Sequence, residues 1–540
     1  MPSPLAGVVL DDISFAWPDG TPVLAGLTAT LGRGRTGLIG ANGVGKSTLL
    51  AVVAGRLRPT SGRVTTLGRV DHLTQDLTLA VDATLADLLG VRPVVDAVRA
   101  IEAGDVRPEL FDLVGDDWDL EARAQAALDA IALPSDLDRR VATLSGGETV
   151  LAAITGVSLR RAPVALLDEP TNNLDADSRA RLYQVVSGWR GCLVIVSHDT
   201  DLLELMDATA ELRDGSLTVF GGPYSEYAAA VEQEQQAARQ ALRAAEQVLR
   251  TERRQRIEVE QKIAHAERQG RKDRANRRYA PIVINDRRNS AERSAGARRG
   301  MLDAKVEAAR AEVARAGHRV RSEDRIRLDL PDPRVPAGRR LACLTGSDGR
   351  EVVVQGPERL ALTGANGVGK TTLVEALVTG RQPESRAGAG AHALGFTGRV
   401  GYLPQRLDGL SDGLSVLANL EVAAPGVPPG LLRTRLARFL LRGDAVDRPV
   451  ATLSGGERFR VALAALLLAD PPADLLVLDE PTNNLDLASV SQLVDALASY
   501  RGGLIVVSHD RGFLSRLALD GELVLHPDGR LSRHDPPGTG

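Results

Sequence analysis

Two copies of one chemical kit are spread along this chain. Each opens on a glycine-rich loop, Gly40–Thr48 (GANGVGKST) and Gly364–Thr372 (GANGVGKTT). Such a loop suits phosphate: glycines let backbone N–H groups curl around the oxygens, and the helix that follows points its positive end at the same anion. The expected contacts are Asn42, Gly43, Gly45, Lys46, Ser47 and Thr48, then Asn366, Gly367, Gly369, Lys370, Thr371 and Thr372. The lysines would meet the β- and γ-phosphates, and the Ser47 and Thr371 hydroxyls a Mg²⁺ ion. Further on, an apolar run delivers an acidic pair, Asp168-Glu169 and again Asp479-Glu480. The aspartate would serve the metal and the glutamate would polarise the attacking water. A histidine stands 30 residues beyond each aspartate, at His198 and His509, as a sensor of the γ-phosphate. Gln75 and Gln405 each follow a strand-like run and are candidate metal contacts. LSGGE occurs twice, at Leu144–Glu148 and Leu453–Glu457.

The elements needed to position these groups are those of an α/β domain. Thr36–Gly40, Val164–Leu167 and Cys192–Val196 read as buried strands, and the residues after Lys46 as a helix. The stretch from about Leu79 to Leu137 reads as helical. Four motifs recur in the same order in both halves, which makes the chain an internal repeat rather than a set of coincidences. The expected domains are 1–227, 228–328 and 329–540. Trp17 can stack on a base in the first half. Before the second loop, Arg340–Leu362 holds no aromatic, so weaker base binding is expected there.

The middle domain differs from both. Ala238, Leu242, Ala245 and Leu249, then Leu302, Val306, Ala309, Val313, Ala316 and Val320, recur at steps of mostly 3 and 4. That is the seam of two helices packed as a coiled coil. The segment between them, Arg268–Arg299, with Gly270, Pro281, Gly296 and the adjoining Gly300, is expected to interrupt the helices. Val231–Leu328 carries a net charge of +10 in a chain of net −4, and Arg268–Arg299 alone carries +8. A merely solvated coiled coil would have balanced arms. This segregation points to a polyanion partner, with Arg268, Arg271, Lys272, Arg274, Arg277, Arg278, Arg287 and Arg288 as its contact candidates.

Composition excludes other classes. At 540 residues, 43% hydrophobic and 25% charged, the chain has the balance of a soluble multidomain protein. Its two cysteines, Cys192 and Cys343, are far apart, so no zinc site or disulfide framework is expected. The N-terminus lacks a signal-peptide pattern, and no apolar run reaches membrane-span length. A cytoplasmic protein is expected.

Taken together the motifs resemble the ATP-binding cassette superfamily: Walker A, Q-loop, LSGGE signature, Walker B with its glutamate, D-loop and switch histidine. Two cassettes joined by a charged helical pair resemble the ABC-F family in particular. The resemblance implies ATP and Mg²⁺ as ligands and hydrolysis at both sites. It implies head-to-tail closure, with Ser454, Gly455 and Gly456 completing the site of Lys46, and Ser145, Gly146 and Gly147 completing that of Lys370. A monomer follows from this intramolecular pairing. The resemblance further implies a ribosome partner, entered from the exit-tRNA side, with the linker tip reaching toward P-site tRNA and the peptidyl-transferase centre. The outcome would be a translation factor or a ribosome-protecting antibiotic-resistance protein. The alternative is the ATPase subunit of a drug exporter with a separate membrane protein, which leaves the basic tip without a role.

Overall fold

A computed structural model describes residues 6–74, 83–172, 174–275, 281–320, 330–381, 390–405, 409–483 and 485–535. Within 266–295 only Arg268 and Ser294 have described side chains. Gln75, Arg277 and Arg278 therefore lie outside the described residues, as do the side chains of Arg271, Lys272, Arg274, Arg287 and Arg288.

Each half folds the same way. In the first, three antiparallel strands pair in the order Pro22–Gly32, Ala6–Ala16, Ser61–Thr66. A six-stranded sheet then runs Val70–Leu73, Val164–Asp168, Cys192–Val196, Gly34–Ile39, Ala208–Arg213, Ser216–Gly221. All its neighbours are parallel except the last pair. The second half repeats this with Val400–Leu403, Leu475–Asp479, Gly503–Val507, Arg359–Thr363, Gly521–Leu525 and Leu531–His534. The central strands are buried on both faces, which is why they read as unbroken apolar runs without alternation. One core lies between the two sheets, where Leu49, Leu50 and Val53 of the phosphate-loop helix meet Leu10, Ile13 and Val194. The second half builds the matching core from Leu373, Leu377, Leu344 and Ile505. On the other face of its main sheet, Leu463, Leu467, Leu493 and Phe513 are buried between sheet and helices.

This topology decides where the chemistry sits. Asp168 pairs in register with Val196, and Leu38 pairs with the same Val196 from the other side. The phosphate loop, the acidic pair and the switch histidine therefore leave three adjacent parallel strands at one edge. That edge, at the carboxyl ends of the strands, is where open α/β sheets bind ligands.

The middle of the chain is two long helices, Tyr224–Ala275 and Pro281–Arg319. At 1.5 Å per residue they would measure about 78 and about 58 Å. Ala238 and Ala245 are buried, as are Leu302, Val306, Ala309 and Ala316, while Leu242, Leu249, Val313 and Val320 are half-buried. The seam expected from spacing is therefore the one that packs. Gln235 donates to the Arg319 carbonyl at 3.4 Å, and Arg256 pairs with Asp303 at 2.8 Å. Early residues of one helix meet late residues of the other, so the pair is antiparallel. One expectation fails. Gly270, Gly296 and Gly300 do not break the helices but lie within them, and Pro281 begins the second. A helical glycine costs only about 1 kcal/mol against alanine, and proline at the first helical position gives up no hydrogen bond.

Candidate functional site: two nucleotide centres

The first centre grows from Gly40, where the strand Gly34–Ile39 ends. Its φ is +152°, and a Cβ there would lie 2.4 Å from the Leu212 carbonyl oxygen, so only glycine lets the loop start. Gly364 repeats this against Leu525 at 2.3 Å. Lys46 begins the helix Lys46–Val53 and is buried. Its ammonium donates to the carbonyls of Gly40 (2.7 Å) and Ala41 (3.2 Å). Lys370 does the same with Gly364 (2.8 Å) and Ala365 (2.9 Å). The ammonium is thus held at the mouth of the loop.

A cavity of about 420 Å³ opens in front of Lys46. Asn42, Gly43, Gly45, Lys46, Ser47, Thr48, Asp168, Glu169 and His198 line it, and so does Trp17. Trp17 stands edge-on to Phe15 with ring centroids 5.1 Å apart, so one ring props the other. The motif residues scattered over about 180 positions of sequence are one wall of one cavity. Asn172, from the turn after Glu169, also lines it and was not among the expected contacts.

The glutamate of each acidic pair has a strained backbone. Glu169 has φ +48° and Glu480 has φ +45°, the left-handed region that side chains seldom adopt. Each is pinned there by its own N–H, which donates to Val196 O at 2.9 Å and to Val507 O at 2.8 Å. Such strain, of order 1 kcal/mol, turns the glutamate away from its strand and toward the switch histidine. His198 Nε2 lies 3.1 Å from Glu169 Oε1, and His509 Nε2 lies 3.5 Å from Glu480 Oε1. Burial, with the lysine charge second, drives both histidines down, to about 3 and about 4. They are neutral at physiological pH, so each His–Glu contact is not an ion pair. Burial pushes Glu169 up to about 8 and Glu480 to about 7, against the pull of Lys46 and Lys370. A glutamate poised near neutrality suits a general base.

Asp168 Oδ1 and both carboxylate oxygens of Asp479 are buried without a hydrogen-bond donor. Burial raises both aspartates, and the Ser47 and Thr371 hydroxyls oppose that shift from alongside. Orphaned carboxylate oxygen beside a hydroxyl is a donor set that fits a hard divalent cation. Gln405 is exposed where its strand ends.

The two cassettes touch through a contact not foreseen from spacing. Asp175 and Asp486 close the LDEPTNNLD runs, and each caps a helix by accepting from Ser178 N–H (2.9 Å) or Ser489 N–H (2.8 Å). The other carboxylate oxygen crosses to the opposite cassette. Asp486 accepts from Asn42 N–H at 2.8 Å, and Asp175 accepts from Asn366 N–H at 3.2 Å. Each phosphate loop is therefore gripped by the other half. The repetition of the aspartate in both halves was the available signal; its partner could not be read without knowing that the halves face each other.

The signature motifs begin the helices Gly146–Leu159 and Gly455–Leu467. Ser145 accepts from Glu148 N–H and Glu148 accepts from Ser145 N–H, a reciprocal cap repeated by Ser454 and Glu457. This explains why glutamate follows the glycines in both copies. Ser145, Gly146, Ser454 and Gly455 are exposed, and Ser454, Gly455 and Gly456 do not line the cavity at Lys46. A Cβ on Gly147 would sit 2.9 Å from Ser178 Oγ. The signature helix thus packs on the helix that the crossing aspartate caps.

Comparison with known proteins agrees with this geometry. The family model described as ABC transporter matches residues 24–172 and 350–483, more than half of the chain. The tylosin resistance ATP-binding protein TlrC of Streptomyces fradiae is 32% identical over 95% of this chain and 96% of its own length. The energy-dependent translational throttle protein EttA is 29% identical in Mycobacterium tuberculosis, over 94% of this chain and 87% of that protein. A solved complex of archaeal ribosomal stalk protein aP1 with the archaeal ribosome recycling factor aABCE1 superposes with a TM-score of 0.55 at 21% identity, over 98% of this chain and 90% of that one. That last likeness is one of fold. With two cassettes, two phosphate loops gripped from opposite halves and a relative 32% identical over 95% of this sequence, the chain belongs to the ATP-binding cassette family as a tandem-cassette ATPase of the ABC-F type.

Proposed function

We propose that this ATPase works on the ribosome in the cytoplasm, as a monomer, either in translation or in protecting the ribosome from an antibiotic. ATP draws the cassettes together head to tail. Ser454, Gly455 and Gly456 then reach the nucleotide on Lys46, and Ser145, Gly146 and Gly147 reach that on Lys370. The helix N-termini at Ser145 and Ser454 favour a γ-phosphate. Glu169 and Glu480 accept a proton from the attacking water, and His198 and His509 hold the γ-phosphate oxygens as neutral donors. Ser47 with Asp168, and Thr371 with Asp479, assisted by Gln75 and Gln405, would hold Mg²⁺, which when bound offsets phosphate charge. Hydrolysis removes the group that holds the lobes shut, so nucleotide state becomes a lobe angle that the linker feels.

The observation that carries the ribosome reading is the charge of the linker: +8 on Arg268–Arg299 in an otherwise acidic chain. An arginine-rich tip on two packed helices has the chemistry to meet ribosomal RNA and P-site tRNA, with affinity falling steeply in salt. The relatives' names, translational throttle and tylosin resistance, agree with it. Among the described residues no helix is long and apolar enough to cross a membrane. The test is sedimentation of the Glu169→Gln/Glu480→Gln variant with 70S ribosomes and ATP. Co-sedimentation that a deletion of 268–299 abolishes is expected. A double variant that stays free of ribosomes, or that instead co-purifies with a membrane protein, would favour the exporter reading. A susceptibility panel including tylosin, with the double variant as control, separates resistance from a translation role.

A further inference from the structure

The signature helix Gly146–Leu159 of the first cassette starts at Ser145 and ends on Arg160. The Arg160 guanidinium has two acceptors. Its Nε donates to Asp71 Oδ2 at 2.7 Å, and one terminal nitrogen donates to the Leu89 carbonyl at 2.5 Å. Asp71 is only 11% exposed and sits on the strand Val70–Leu73. That strand pairs in register with Val164–Leu167, the run that ends in Asp168. Leu89 closes the short helix Leu85–Leu89. One side chain therefore ties the far end of the signature helix to the sheet that carries the first acidic pair and to the helix beside it. Two glycines fit this joint. A Cβ on Gly90, at φ +69°, would lie 2.5 Å from the guanidinium. A Cβ on Gly156, one turn before Arg160, would lie 2.6 Å from the Leu89 backbone.

The second cassette builds the same joint without charge. With the repeats aligned on LSGGE, Ala469 stands for Arg160 and Leu466 for Val157. Aligned on Gln75 and Gln405, Gly401 stands for Asp71. A Cβ on Gly401 would lie 2.7 Å from Leu466 Cδ1 and 2.8 Å from Leu476 Cδ2. A leucine thus fills the space that the first cassette spans with an ion pair. Apolar contact is non-directional, whereas a guanidinium held by a carboxylate and a carbonyl fixes both distance and angle. Without Arg160, Asp71 keeps only Arg69, whose side chain is 59% exposed and holds it weakly.

We infer that Arg160 is a positioning residue for the second centre. It fixes the angle of the first cassette's signature helix to its own sheet, and so where Ser145, Gly146 and Gly147 stand when they reach the nucleotide on Lys370. The first centre is served by the other signature helix, on the apolar joint. Its own strand Val164–Asp168 stays held between Val70–Leu73 and Cys192–Val196 by backbone pairing that Arg160 does not make. The coupling runs both ways: ATP that draws Ser145 in also favours the strapped arrangement. This role for Arg160 rests on the head-to-tail closure proposed above.

The test is equilibrium dialysis of labelled ATP and ADP against the full chain carrying Glu169→Gln and Glu480→Gln, which keeps ATP intact. Lys46→Ala then confines binding to the second centre, and Lys370→Ala to the first. Arg160→Leu should weaken ATP about fivefold at the second centre, the lower end of coupling between sites, and less than about twofold at the first. ADP lacks the group that draws the signature in, so its binding should move less than about twofold at either centre. Adding Asp71→Asn to Arg160→Leu should cause no further loss, because both act through one bond. Equal losses at the two centres, an ADP loss as large as the ATP loss, or additive losses would overturn the inference. If Arg160→Leu fails to fold, Asp71→Asn alone should show the same split between centres and nucleotides. Gly146→Asp tests closure itself, since a Cβ there meets nothing within 4 Å and the added charge would face the γ-phosphate. It should weaken ATP at the second centre more than Arg160→Leu does. If it leaves ATP binding unchanged, head-to-tail closure fails. If it weakens ATP and Arg160→Leu does not, only the role given to Arg160 fails.

Discussion

The two nucleotide centres agree where atoms must meet phosphate and differ where they need not. Lysine on two loop carbonyls, a left-handed glutamate, a neutral histidine beside it and an aspartate from the opposite cassette are present twice. The aromatic expected to meet a base is present once. In the first hairpin Trp17 follows Ala16 and lines the cavity. The second hairpin turns one step past Thr345 through Gly346, where a Cβ would lie 2.9 Å from Leu531 N and 2.8 Å from Asp348 Oδ1. Ser347 next to it is bonded to Asp528 O at 2.7 Å and to Gly529 O at 2.9 Å. The tip that carries an indole in one cassette is fastened to the last hairpin in the other. Phe396 is no substitute: it joins the strand Arg340–Thr345 at its opposite end, stacked under Arg340 at 4.9 Å. In this chain the loop, acidic-pair and histidine geometry is kept in both halves, whereas the aromatic beside the cavity is not.

The largest effect should come from removing what the centres share. Glu169→Gln with Glu480→Gln keeps size and removes the base, so steady-state ATP hydrolysis should fall about 100-fold or more. Comparing the two single variants in a phosphate-release assay ranks the centres. If one single variant matches the double, the other centre is silent, and the likeness drawn above is of shape alone.

What differs should give the next effect. Trp17→Ala should raise KM for ATP about tenfold at the first centre, a stacking contribution of about 1–2 kcal/mol, with little change in kcat. Measured in the Glu480→Gln background, that shift is expected; in the Glu169→Gln background, KM should stay put. A matching rise in both would show that Trp17 supports the fold rather than a base. Gly346→Trp should not install a platform. It should lower the melting temperature instead, because the hairpin must leave Leu531 to make room.

How far the sequence could be read follows the same division. Phosphate loops, acidic strand ends and switch histidines were legible because each motif is local and sits beside a buried apolar run whose burial on both faces leaves no ambiguity of face. The helical seam was legible because Leu302, Val306 and Ala309 keep a fixed period. The contacts Asp486–Asn42 and Asp175–Asn366 were not, since they join residues 444 and 191 positions apart and depend on how the cassettes meet. Nor was the backbone at Glu169 and Glu480, because nothing in a glutamate signals a left-handed φ. Gly270, Gly296 and Gly300 misled for a thermodynamic reason: three small propensity penalties are spread over helices of 52 and 39 residues whose seam packing outweighs them.

The crossing aspartates give the finest test, because each carboxylate has two duties. Asp486→Asn keeps a helix cap, as asparagine caps nearly as well as aspartate, but it removes the charge that grips Asn42. Asp486→Ala loses both. Stability should therefore separate the variants: Asn within about 0.5 kcal/mol of wild type and Ala lower by about 1–2 kcal/mol, read by denaturant melts. Hydrolysis at the first centre should fall in both, because the grip is gone from each. At the second centre, where Asp175 holds Asn366 at a longer 3.2 Å, the matching Asp175→Asn should cost less activity than Asp486→Asn. If Asp486→Asn hydrolyses ATP like wild type, the crossing bond is incidental and the aspartate is only a cap. If Asp175→Asn is the more damaging of the two, the longer bond is the one that matters, and the second centre depends on its neighbour more than the first does.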